Sequence, residues 1–569
     1  MKSKKLHTLS LLSALMTMAL VSACSDNSSA PISAASAMGL EPARDPRGDW
    51  CDGAKDLQLV NGRIVTMDDK NSTVFSANIK NGKFVAVGDT GDRRPATCTQ
   101  VLDLGGRTAI PGLIDNHIHI VALGRRPGHD TPFDTAGSIS EALQLVRERA
   151  MKVPQREFIT TIGGWTAEQF LEKRMPTLAE LDTAAPNHPV LISNAANLGA
   201  VNTAGKAFFQ SKGVPVTTGG EIALGNDTLR AVFILKDAMT LDQLKRNTQD
   251  TMAWAAGLGL TTVMDMGSNT FTGTAADSIG AFSPYTGYEP LLALARENKQ
   301  IIRYRLNYIS LDTTPELPDL TARLQNAFRR FGSDMLKTVC MAESVWTLRG
   351  PGAVGMAVPA APFKDAVKKV AEAGDCHEQH SLTLVSDMAI TSVWEQVNAT
   401  NPIKDLRWRL AHVPQIDQPT INRVKALGAG LAVHLNPGSG PPYRMIVDSG
   451  IRVGAGSDGR NSLPGNPWAV LQYMVTGKKG AAGDVINRGQ TLTRLEALRL
   501  YTASNGWFSF EENALGSVEV GKLADIVVLN KNYLDAGEVP DDAINRLSSQ
   551  LTIVDGKVVH DTGSVSRLK

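Results

Sequence analysis

Apolar strand candidates alternate with amphipathic helices through the middle of this chain, and hairpin-rich β segments occupy both ends. Together these predict an α/β fold: a (β/α)8 TIM-like barrel with a small composite β-sandwich domain formed by both chain ends. The length of 569 residues exceeds one typical domain and permits a large buried core.

The middle, residues 108–505, supplies the barrel candidates TAIPGLID, EFITTIGG, HPVLISNA, LTTVMDM, IIRYRLNYI, MLKTVCM, WRLAHV, AGLAVHL and IRVGAGSD. Between several of them lie amphipathic stretches such as ISEALQLVRERAMKV and PFKDAVKKVAEAG, which read as crossover helices joining parallel strands. The candidates outnumber eight, so at least one belongs to an insertion or an irregular segment. Rossmann-like winding is disfavoured because no GxGxxG opens a helix after a strand.

Residues 51–107 and 506–569 are expected to build the β domain. DLQLVNGRIVTMD and SANIKNGKFVAVGD each place Asn-Gly between apolar runs, at Asn61-Gly62 and Asn81-Gly82, and LTIVDGKVVH bends at Asp555-Gly556. Such dipeptides are hairpin signals.

The N-terminus reads as a targeting signal. Lys2, Lys4 and Lys5 precede an apolar stretch from Leu9 to Val21 that is too short for a convincing spanning helix. It ends in Val21-Ser22-Ala23-Cys24, which resembles a bacterial lipobox. That resemblance implies a signal peptide over 1–23, lipidation of Cys24 and a membrane anchor. Ser25 points to the outer membrane, facing the periplasm. Residues 24–50, rich in Ser, Ala, Pro and Gly, read as a flexible tether. Export implies an oxidising compartment, where Cys51 and Cys98, flanking one β-rich segment, are expected to form a disulfide. Cys340 and Cys376 read as core residues, and no CxxC suggests a zinc knuckle. A formal net charge of +1 gives no reason to expect a nucleic-acid partner.

The chemistry-bearing residues fall in or at the ends of strand candidates. His117 and His119 close TAIPGLIDNHIH; at i, i+2 on a strand they share one face. At the C-terminal mouth of a barrel two such imidazoles can hold a divalent metal. His380, His412, Asp458 and Lys337 lie in or at the ends of other strands, and a barrel would gather such ends from distant parts of the sequence.

These segments carry a family resemblance. LVNGRIVTMD, PGLIDNHIH, GWTAEQF, PTLAELDTAAPNHPVLI, GLTTVMDMG, RLAHVPQID, GSDGRNSLPGNPW and GSVEVGKLADIVVL occur in this order over residues 56–560. The chain thereby resembles the amidohydrolase superfamily, in its YtcJ-like and N-substituted formamide deformylase-like branch (amidohydrolase family 3). The resemblance implies that His117, His119, His380, His412 and Asp458 bind one or two divalent metals, most simply zinc. It further implies that Lys337 is a carboxylated bridging ligand and that Asp458 is the catalytic proton carrier. Departures are visible. HSLTLVSDMA replaces the usual run after His380, leaving His377 as a competing ligand; the usual Asp-Gly is missing after KTVCMAE; and Asn197 stands near the place of a histidine. Trp165, Asn197, Glu378 and His434 are candidate substrate contacts. The expected activity is hydrolysis of an amide-like C–N bond of a small molecule. The alternatives are an ester or lactone substrate, or a lipid-anchored barrel that binds without catalysis. A homodimer is expected from relatives alone.

Overall fold

The computed structural model describes residues 56–568 except 89–97, 195–197, 224, 268–286, 327, 349–352, 356, 436–439, 460–462 and 479–482. The leader, Cys24, Cys51 and Asn197 therefore lie outside the described residues.

Eight parallel strands organise the centre. The first four are β1 (Leu113–Ile118), β2 (Leu260–Asp265), β3 (Arg303–Tyr308) and β4 (Leu336–Met341), each paired to the next. The second four, β5 (Glu378–Ser381), β6 (Arg409–His412), β7 (Gly430–Val433) and β8 (Arg452–Ala455), pair in the same manner. Among the described residues the ladders form two four-stranded sheets and not one closed eight-stranded sheet. Two junctions connect them. Met341 bridges His377 in parallel. At the other edge the Asp458 N–H donates to the His117 carbonyl at 2.8 Å, and the Ser457 N–H donates to the Asp115 carboxylate at 3.0 Å. Gly456 permits that second approach, because a Cβ there would lie 2.5 Å from the His117 nitrogen.

Helices cover these sheets as their periodicity dictates. In Pro362–Glu372, Phe363, Ala366, Val367 and Val370 are buried, a stripe at i, i+3, i+4 and i+7. The surplus strand candidates are explained by a separate sheet: Ile159–Ile162 and Val190–Ser193, from EFITTIGG and HPVLISNA, pair with each other beside three short strands at 129–130, 199–201 and 221–222.

Both chain ends contribute to the same two sheets. Asp56–Val60, Ala77–Lys80, Lys83–Val87 and Thr99–Asp103 are joined by Ser566–Leu568. Arg63–Val65, Thr73–Val74 and Thr108–Pro111 are joined by Ile526–Leu529, Ser549–Val554 and Lys557–Asp561. Leu59, Ile79 and Phe84 of the first sheet and Ile64, Val528 and Leu551 of the second pack in one apolar cluster. Asn81-Gly82 and Asp555-Gly556 have positive φ at both residues and close antiparallel hairpins, as expected. Asn61-Gly62 does not. Only Asn61 has positive φ, and the strands on either side enter different sheets. The chain turns a corner there, with Gly62 pressed so close to Leu104 that a Cβ would lie 2.5 Å from its Cδ1.

At the N-terminal ends of β3 and β4 the interior is charged. Arg303 pairs with Asp525 at 2.8 Å and Arg305 with Glu511 at 2.6 Å, both guanidiniums fully buried. Lys337 shares Glu511, its Nζ 2.8 Å from Oε1. Removing one partner of a buried ion pair strands the other charge. Glu511→Gln is therefore expected to cost about 3–5 kcal/mol of stability. Urea denaturation would show this, with metal stoichiometry at the opposite end of the strands unchanged.

Candidate metal centre

The C-terminal ends of the parallel strands converge on five imidazoles and two carboxylates. β1 carries His117, and His119 follows it; Glu343 lies just beyond β4; His380 is within β5; His412 ends β6; His434 follows β7; Asp458 follows β8. The i, i+2 spacing places His117 and His119 together, as read from the sequence. His119 Nε2 lies 3.3 Å from Glu343 Oε2 and 3.3 Å from Asp458 Oδ1. His117 Nε2 lies 3.6 Å from Asp458 Oδ1. The other Glu343 oxygen, Oε1, bonds to His380 Nδ1 and lies 3.2 Å from His412 Nε2.

Glu343 was not singled out in the sequence, and Lys337 was. β4 separates them: Lys337 sits near its start and Glu343 just past its end, up to about 20 Å apart at the rise of a strand. The Lys337 amine is held by Glu511 and is not among the clustered groups. The signal for Glu343 was present. It is an acidic residue closing the apolar run MLKTVCM, the same strand-end position that marked His412 and Asp458.

Glu378 departs from a substrate-facing role for a physical reason: it is fully buried and already bonded on both oxygens. The His117 Nδ1–H donates to Oε1 at 2.5 Å, and the Arg409 Nε–H donates to Oε2 at 2.6 Å. It orients a candidate ligand and fixes its tautomer, leaving Nε2 for coordination. Trp165 is buried as well; its indole N–H donates to the Ser193 carbonyl at 3.1 Å and its ring stacks on Phe170. His377, the competitor to His380, packs between Trp394 and Trp408, where burial pushes its pKa down to about 4. His434 lies beside the cluster, its ring 4.2 Å from that of His117 and 4.6 Å from that of His412.

Electrostatics prepare these groups to bind a cation. Burial alone would raise the pKa of Glu343, but the charge of His380 and the hydrogen bonds from His119, His380 and His412 hold it well below the carboxylate range. Burial would likewise raise Asp458, yet His412 and His117 hold it well below. Burial, with the neighbouring His380 charge, lowers His412. His117 is opposite: burial would lower it, and the Glu378 carboxylate reverses this and lifts it well above the histidine value. Coordination through His117 Nε2 requires the neutral imidazole. The fit to a metal rests on structure as well as charge. Among the described residues Nε2 of His434 is sealed from solvent without a hydrogen-bond partner, and carboxylate and imidazole donors suit divalent ions such as zinc. His412, Val413 and Asp458 adopt φ of 70°, 41° and 50°, left-handed conformations that non-glycine residues avoid except where the surroundings impose them.

Residues 100–560 match the amidohydrolase family. The chain belongs to that family. It is a hydrolase of the amidohydrolase class. It is 24% identical to an N-substituted formamide deformylase of Arthrobacter pascens, over 90% of this chain and 99% of that protein. It is 22% identical to the putative amidohydrolase YtcJ of Bacillus subtilis, over 88% and 98%. Among solved structures, an uncharacterized metal-dependent hydrolase from Pyrococcus horikoshii superposes with TM-score 0.53 at 17% identity, covering 89% of this amidohydrolase and all of that chain. An atrazine chlorohydrolase from Arthrobacter aurescens complexed with zinc and atraton superposes with TM-score 0.51 at 16% identity, covering 89% and 95%.

The three cysteines among the described residues are disulfide-bonded. Cys340 and Cys376, both buried, are bonded to each other, a pairing the sequence did not suggest. Cys98 is disulfide-bonded too, its expected partner Cys51 lying outside the described residues.

Proposed function

We propose that this amidohydrolase cleaves an amide-like C–N bond of a small molecule at a site whose two ligand groups, sharing Glu343, would each hold a divalent ion. The observation that carries the proposal is the division of Glu343 between two ligand groups, His117 with His119 and His380 with His412. Bound there, a divalent ion such as zinc supplies Lewis-acid polarisation and a water acidified toward ~7. Asp458, kept anionic by the imidazoles around it, would accept a proton from the attacking water at its carboxylate and return it to the leaving nitrogen. The deformylase and chlorohydrolase relatives support a C–N substrate class and zinc, respectively. Glu378 and Arg409 hold His117 in one orientation throughout the cycle.

The reading takes the two four-stranded sheets as one (β/α)8 barrel, sealed at the Met341–His377 and Asp458–His117 junctions, and the two terminal sheets as a β-sandwich. It also takes the chain as exported and anchored through Cys24. The lipobox-like sequence supports export, and so do the disulfides. Among the described residues no helix is long and apolar enough to cross a membrane.

The test is to strip metal from the protein, reload it with zinc, and assay N-substituted formamides, other amides, esters and lactones. Two zinc ions per chain and metal-dependent release of an amine are expected. A chain that binds no metal, or that with metal bound turns over none of the panel, would refute the reading.

A further inference from the structure

We propose that His434 is a metal ligand, forming with His117 and His412 a three-imidazole face of the centre. This rests on the metal-hydrolase reading above and adds a ligand to it. His434 directly follows β7 and is 1% exposed. Its Nδ1 lies 3.3 Å from the Gly456 carbonyl, which can only accept, so Nδ1 carries the proton and Nε2 carries the lone pair. That Nε2 is sealed from solvent and has no hydrogen-bond partner among the described residues. On His117 the Nδ1–H is likewise spent on Glu378, leaving Nε2, 3.6 Å from Asp458 Oδ1, for coordination. His117, His412 and His434 each offer a ring nitrogen within 4.8 Å of the others.

The uncompensated lone pair of His434, buried beside ring nitrogens of His117 and His412, needs a partner that satisfies it. A cation does so, and tautomers fixed by a carbonyl or carboxylate behind the ring are the usual support of imidazole ligands. A substrate contact would explain a single free nitrogen on His434. It would not explain why that nitrogen meets those of His117 and His412 within 4.8 Å.

Cobalt(II) tests this on the full chain, stripped of metal and reloaded. Wild type is compared with His434→Gln and His434→Ala, whose metal-free folds are checked by circular dichroism and thermal melting. Both folded variants are expected to bind cobalt about 100-fold more weakly or worse, with a shifted visible absorption band. Wild-type affinity and an unchanged band, with only KM altered, would overturn the assignment and make His434 a substrate contact. Should neither variant fold, a crystal structure of the zinc-loaded wild type decides. A His434 nitrogen at about 2.1 Å from an ion supports the proposal, and one beyond about 3 Å overturns it. A wild type that takes up no cobalt would defeat the metal-hydrolase reading itself, and His434's role with it.

Discussion

An Asp458→Asn variant is expected to lose about 10³-fold or more of kcat while retaining its fold. Asn matches Asp in shape and tolerates the positive φ at this position, so the backbone that brings β8 against β1 is preserved. What is lost is the ability to carry a proton. The carboxylate lies 3.3 Å from His119 and 3.6 Å from His117 and is held anionic, as a base ready for a water in the same space must be. General-base catalysis contributes roughly 10²–10⁴-fold, which sets the scale of the deficit. Steady-state kinetics on the loaded enzyme, beside circular dichroism, measures it. A kcat within tenfold of wild type would remove Asp458 from proton transfer.

The second large effect separates two residues on one strand. Glu343→Gln is expected to weaken metal binding by about 100-fold or more and to abolish turnover with it. An amide offers one weak oxygen donor where the carboxylate offers two anionic ones. Lys337→Met is expected to leave metal stoichiometry at the wild-type value, because the lysine answers Glu511 at the far end of β4. Elemental analysis of both proteins decides between them. Metal lost on replacing Lys337 and kept on replacing Glu343 would restore the lysine as the bridging ligand.

The contrast shows what the sequence can convey. His117 and His119 were legible because a two-residue spacing on a strand fixes a shared face, whatever the rest of the chain does. His412 and Asp458 were legible because each ends an apolar run. Glu343 obeys the same rule but was masked by a lysine embedded in that run, which offered a familiar chemistry at the wrong height in the strand. Height is set by where pairing begins, and the register of Lys337 opposite Arg305 depends on contacts remote in sequence. Glu378 shows the same limit. Its inward face could be inferred from its spacing to His380. That Arg409 and His117 would occupy both its oxygens could not, because those partners come from other strands. Among the turns, Asn81-Gly82 and Asp555-Gly556 announced hairpins correctly. Asn61-Gly62 has the same letters, but the packing of Gly62 against Leu104 redirects the chain.

The Cys340–Cys376 bond lies among hydrogen bonds that cross between strands, from the Met341 N–H to the Cys376 carbonyl at 3.2 Å and from the His380 N–H to the Glu343 carbonyl at 2.9 Å. It spans the seam between β4 and β5, the edge where ladder pairing gives way to the single Met341–His377 bridge. Glu343 stands on one side of that seam, with Glu378 and His380 on the other. A covalent rivet there adds to those hydrogen bonds, so the spacing of these groups is tied in part to the thiol–disulfide balance of the surroundings. Surroundings that keep thiols reduced would leave this seam of the ligand set joined by hydrogen bonds without a covalent link.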